Sequence, residues 1–209
     1  MTATQRRGTI ASFVCVAVLA TGLSGCGRYR PPLPPEYLAP AAVDNLVVTP
    51  TEGSVGFSWT AADSDARGKE LKSAEGFSVE RKELVNRGDE TNPDVKFERI
   101  GYLSDKHVEV REKLRAEARA AGKVGRTVKS PEEFTKFSFV DSKVAKGKTY
   151  LYQIVPLNQG GTEGVVGQLT KVVFQGAQSA VVAMLPEEMT NAADKVASGT
   201  ASDASVSSR

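Results

Sequence analysis

The chain has 209 residues, with 27 basic side chains against 25 acidic, one histidine and two cysteines. That length holds one domain of ordinary size with tails rather than two. A net charge of +2 excludes bulk nucleic-acid binding, which calls for a strongly basic face. No pair of cysteines or histidines stands at zinc-ligand spacing.

Residues 1–25 divide into three parts. Arg6 and Arg7 form a positive start, Ile10 to Ala20 is an apolar run, and Gly22, Ser24 and Gly25 are small. The apolar run is too short to span a bilayer but has the length of an export-signal core. The tetrapeptide Leu23-Ser24-Gly25-Cys26 then resembles the lipobox of bacterial lipoproteins. The resemblance implies removal of 1–25 and acylation of Cys26. Several acyl chains anchor stably, because each buried methylene is worth about 0.8 kcal/mol. Cys15 would leave with the signal, so the mature chain would have no free thiol and no disulfide. Gly27 stands where aspartate, in enterobacterial lipoproteins, favours inner-membrane retention. The expected address is therefore the cell envelope, at the outer membrane.

Residues 26–42 hold five prolines, which fix φ and remove donors. They read as an extended, semi-rigid tether. Cys26-Gly27 with Pro32-Leu33 and Pro35 also resembles the start of small outer-membrane lipoproteins that assist lipopolysaccharide-transport assembly. It departs from them at Arg30.

From Val43 the apolar period becomes two, the signature of half-buried strands. Val43, Leu46 and Val48 begin a strand that ends at Pro50. Val55, Phe57 and Trp59 form one face of a second, and Phe77 and Val79, with Arg81 in the same phase, belong to a third. Residues 86–93 are a polar loop, and Phe97–Leu103 is a fourth strand. The pattern breaks at Ser104–Gly122, where Val110, Leu114, Ala118 and Ala121 make an apolar stripe at helical spacing. Ser104 or Asp105 would cap that helix and Gly122 would end it. Ser130-Pro131-Glu132-Glu133 reads as a second short helical start. Phe137, Phe139 and Val140 return to a strand.

Val144, Gly147, Thr149, Tyr150, Tyr152, Ile154 and Asn158 come next, with Trp59 earlier in the chain. This resembles the corner, strand and B-strand tryptophan of fibronectin type III domains, with Lys146 and Pro156 replacing a proline and an alanine. The resemblance implies an all-β, immunoglobulin-like sandwich of seven strands over 43–176, with a helical insertion at 104–136 and Tyr150 as the corner residue. Asn158–Gly164 is a hairpin, and Val166, Leu169, Val172 and Phe174 supply the last strand. Val181–Met189 reads as a short helix inside a mostly disordered tail, 177–209, whose later composition is too poor in large apolar groups to offset ordering entropy.

Catalytic signatures are missing from the sequence. His107 reads as a solvated helix residue, with no nucleophile elbow to serve. Asp63, Asp65 and Glu70, like Asp89, Glu90 and Asp94, read as solvated loop acids without the calcium-loop glycine and glutamate. Arg111, Arg115, Arg119 and Lys123 fall at four-residue steps and predict an outward basic ridge, suited to carboxylates or phosphates. The reading is a lipid-anchored envelope protein presenting a non-catalytic binding or scaffolding domain. Its expected partners are the membrane, through Cys26, and an envelope protein or other acidic partner at the ridge. No cofactor, metal or nucleic acid is expected. Two rivals stand beside it. One is an assembly factor for an outer-membrane machine, acting through 26–36, and the other is a hydrolase with an unrecognised site.

Overall fold

The computed structural model describes residues 32–186. Cys26, the export segment and the tail beyond Pro186 lie outside the described residues. The sandwich lies in the unit that begins at Pro34.

Three strands make the smaller sheet. β1 (Asp44–Pro50), β2 (Val55–Thr60) and β5 (Lys136–Asp141) run antiparallel in the order β1-β2-β5. Five make the larger: β3 (Gly76–Leu84), β4 (Glu98–Ser104), β6 (Thr149–Leu157), β7 (Leu169–Val173) and β8 (Ala180–Met184), in the order β4-β3-β6-β7-β8. The alternation read from the sequence sets which faces meet. Val55, Phe57 and Trp59 from β2 pack on Phe77 and Val79 from β3, and on Tyr152 and Ile154 from β6. The Trp59 and Phe77 rings meet edge-on at 5.5 Å, and Phe57 lies 4.8 Å from Tyr152. Asn45 takes a left-handed φ of 52°, and the β1–β2 register shifts between Asp44 and Val47. This bulge explains why Val43, Leu46 and Val48 are unevenly spaced.

The corner forms as the resemblance implied. The Ala145 N–H donates to the Tyr150 hydroxyl at 3.1 Å. Gly147, at φ 86°, supplies the left-handed residue of the turn at no steric cost. Lys146, in the place of a proline, points to the surface and pairs with Glu52 at 2.9 Å. Nearby, Asp141 is buried and receives bonds from Arg81 at 2.8 Å and from the Tyr152 hydroxyl at 3.0 Å, so it joins both sheets. Burial, then the Asp141 carboxylate, pushes the Tyr152 hydroxyl far above its ordinary range.

Three expectations are corrected. Val181–Met184 is strand rather than helix: Ala180–Met184 is β8, paired antiparallel to β7 from Val173↔Ala180 to Leu169↔Met184. The larger sheet therefore runs past 176, and the described strands number eight. The tether is not extended throughout. Pro35–Leu38 forms a 3-10 turn, and from Leu38 the chain is bonded to the domain. Ala66 N–H donates to Ala39 O, Ala41 N–H to Ser64 O, Val165 N–H to Pro40 O, and the Asn158 amide to Leu38 O. Ser130 does not cap a second helix; Glu132–Thr135 (α2) starts after Pro131 without a side-chain cap.

Candidate functional site

β4 and β5 are joined by the insertion, which leaves after Ser104, where β4 pairs with the start of β3, and returns at Lys136, opposite Thr60. Its long helix, α1 (His107–Ala120), starts from Asp105. Asp105 Oδ1 accepts the His107 N–H at 2.9 Å, satisfying one orphan donor of the first turn. Lys106, at the N-cap, offers no side-chain cap. The helix ends in a Schellman motif. Lys123 N–H reaches Ala118 O at 2.8 Å and Gly122 N–H reaches Arg119 O at 3.0 Å, with Gly122 at φ 72°. The chain then turns back through a 3-10 segment, Gly125–Thr127, whose Gly125 packs under the helix so closely that a Cβ would meet Arg115 O at 2.9 Å.

The most buried face of α1 is mixed rather than the apolar Val110/Leu114/Ala118 stripe, which is half-buried. His107, Val108 and Arg111 are its buried residues. The outward ridge predicted from the four-residue spacing is therefore corrected at its first two members. Arg111 is 2% exposed, donates to Leu71 O at 2.5 Å and pairs with Asp63 at 3.3 Å. Arg115 is mostly buried, pairs with Glu70 at 2.5 Å and with Glu112 at 3.0 Å, and donates from Nε to Val128 O. Arg119 and Lys123 are exposed.

His107 is fully buried rather than solvated. Its Nδ1 lies 2.8 Å from both Asp105 oxygens, its Nε2 faces Asp63 at 3.8 Å, and its carbonyl accepts the Ser130 hydroxyl. Among the described residues the imidazole is approached by Asp105 and Asp63 and by no nucleophilic side chain, so the pair Asp105–His107 reads as the pin of the helix start. The loop acids are likewise mostly engaged. Asp65 is buried and accepts from the Arg67 and Lys69 N–H groups. Burial works against its charged form, but the Arg67 side chain and these N–H groups outweigh it and lower its pKa. Asp89 closes its own loop by accepting from Val85 and Asn86, and Glu90 pairs with Lys171. Hydrogen bonds from Lys72 and Arg115, with Arg111 behind them, bring the Glu70 carboxyl down to about 2. Among the described residues no group of three or more His, Cys, Asp or Glu could hold a metal ion.

Several concavities result, two of them beside the charged residues above. One, of about 200 Å³, lies at the insertion between Glu70, Arg111, Arg115, Arg126 and Lys129. The other, about 580 Å³, lies on the outer face of the larger sheet, where Lys82 reaches over the Phe97 ring and donates to the Glu90 and Asn92 carbonyls. Sequence reasoning missed both. The first needs Glu70 and Arg115 brought together from 45 positions apart (115 − 70), and the second needs the 85–97 loop folded back on the sheet.

No protein-family model matches this chain, and no curated protein does. Several solved structures resemble it. The twitchin kinase region from C. elegans is 12% identical with a TM-score of 0.38, over 66% of this chain and 17% of that one. A Fn3-like protein from Clostridium thermocellum is 17% identical with a TM-score of 0.31, over 61% and 85%. The third fibronectin III domain of human KIAA0343 protein is 11% identical with a TM-score of 0.37, over 74% and 95%. The chain spans about a sixth of the twitchin region's length. At such identities a likeness reaches no further than the fold. The strand order and the tyrosine corner make this domain a fibronectin type III-like β-sandwich with a helical insertion.

Proposed function

We propose that this chain is a lipid-anchored cell-envelope protein whose fibronectin type III-like domain is a non-catalytic binding or scaffolding module. The observation that carries the reading is Leu23-Ser24-Gly25-Cys26 at the end of an export-type segment. The proline-rich stretch after Cys26 supports it. That stretch is bonded to the domain from Leu38 on, so the connection between a lipid on Cys26 and the sandwich is short. The twelve steps from Cys26 to Leu38 can span at most roughly 43 Å even when fully extended. The domain would thus sit close to the membrane and be held at one end. The insertion is its candidate contact surface, because it adds nothing to the central apolar cluster, and additions to a rigid scaffold are where binding groups concentrate. Membrane fractionation tests the anchor. Mass spectrometry should find an acylated Cys26 as the first residue, and Cys26→Ala should move the protein out of the firmly bound membrane fraction. An intact Met1, or a Cys26→Ala protein still held as firmly, overturns it.

A further inference from the structure

The segment Arg119–Lys129 contains Arg119, Lys123, Arg126 and Lys129 and no acidic residue. Their side chains are exposed, and among the described residues none of the four forms an ion pair. Unlike Arg111 and Arg115, they are not neutralised from within. At their centre stands Val124, 70% exposed. The turn that carries them is braced. The Schellman bonds hold Lys123, the Thr127 hydroxyl donates to Val124 O at 3.1 Å, and Arg115 ties down Val128. A rigid turn with an apolar tip between cations suits a lipid-water interface, where valine enters the acyl boundary and Lys and Arg meet phosphates.

The position of the turn points to the same surface. The loop between β2 and β3 receives both the tether and the insertion. Ser64 and Ala66 bond to Ala41 and Ala39, while Asp63 and Leu71 hold Arg111. The tether enters at Asp44, opposite Thr60, and the insertion returns opposite the same Thr60. Arg126 and Lys129 line one concavity with Asp63 and Glu70 of that same loop, so the basic turn belongs to the end of the sandwich at which the chain is tethered.

We infer that residues 119–129 dock on the phosphate headgroups of an anionic membrane, the membrane that holds the lipid on Cys26. The inference rests on the proposed lipid anchor. It assigns the tether and the turn as two contacts with one surface, which would fix the orientation of the sandwich as well as its distance.

The test uses the full-length gene product purified from membranes with Val124→Cys, labelled with a polarity-sensitive thiol probe. The protein is reconstituted into vesicles of phosphatidylcholine alone or mixed with phosphatidylglycerol. The expected result is a blue-shifted probe, shielded from an aqueous quencher, in the anionic vesicles only. Shielding should vanish near 1 M salt, where the screening length is about 3 Å. Lys123→Ala and Arg126→Ala should each lower the ratio of shielded to unshielded probe roughly fivefold. Unchanged Trp59 emission in these variants shows an intact fold. Equal shielding in both vesicles, indifference to the two cations, or the same shift with inorganic phosphate and no vesicle overturns the inference. Probe on Cys26 as well as on residue 124 overturns the anchor instead. Flotation of that unanchored chain with anionic but not neutral vesicles then decides for the turn, and its failure to float decides against it.

Discussion

Trp59 is buried among Phe77 and Phe137, and its indole Nε1 has no hydrogen-bond partner among the described residues. The two facts pull in opposite directions. Removing the ring opens a cavity, so Trp59→Ala should cost about 3–5 kcal/mol. Trp59→Phe keeps much of the volume and deletes an unsatisfied donor, so its cost should be far smaller. Urea melts of the two variants check the order, and a smaller loss in the alanine variant would contradict the packing. Trp59 and Tyr150 could be read from the sequence because they sit on period-two strands, where apolar alternation says which way a side chain points. Arg111 could not. A charged residue on a helix is assigned to solvent unless its partners are known, since arginine is seldom fully buried unpaired. Here the partners, Asp63 and Leu71 O, lie about forty to fifty positions away.

Arg111 and Arg115 hold the insertion to Asp63 and Glu70 through charge, and acid should loosen these contacts before the core. Glu70 has its pKa lowered from 4.5 to about 2 by Lys72, Arg115 and Arg111. A carboxylate lowered in the folded state contributes stability that is fully present above its unfolded value and is lost as pH falls through the folded one. The contribution of Glu70 should therefore fade between about pH 4.5 and pH 2. Glu70 is partly exposed, so the effect should be local, within a domain whose core is apolar. Amide exchange in α1 should accelerate across that window while Val79 and Ile154 stay protected, and Glu70→Gln should bring the acceleration to neutral pH. Acceleration shared equally by β3 and β6 would mean that the insertion is coupled to the whole fold. The other misread element, β8, shows a different limit. Ala-Val-Val-Ala-Met has neither a two- nor a four-residue period, and a short apolar run of that kind takes its conformation from its neighbour. The edge of β7 makes it a strand.

The molecule as a whole divides its labour between an apolar core and a polar attachment. None of the eleven buried residues of the central cluster comes from 105–135. Replacing 105–135 by a short glycine linker should leave Trp59 buried and the melt cooperative, with Asp63 and Glu70 left without Arg111 and Arg115. A red-shifted tryptophan emission after the deletion would make the insertion part of the fold. The sandwich class was legible because its determinants are local: alternation, a corner glycine, a tyrosine and an asparagine. The mounting of the domain was less so. Proline content announces stiffness, but a proline carbonyl still accepts, and nothing in 38–42 says that Ala66, Ser64, Val165 and Asn158 will meet it.

That mounting has a mechanical consequence. A pull on the amino-terminal end reaches the Asn158 amide on Leu38 O first, then the bonds at Ala39, Pro40 and Ala41, and only afterwards β1. These contacts reach two separate loops, at 64–66 and 158–165, so tension spreads across both sheets before any strand can peel. The segment acts as a strain relief, and β1 is spared the force that a bare tether would have delivered to it.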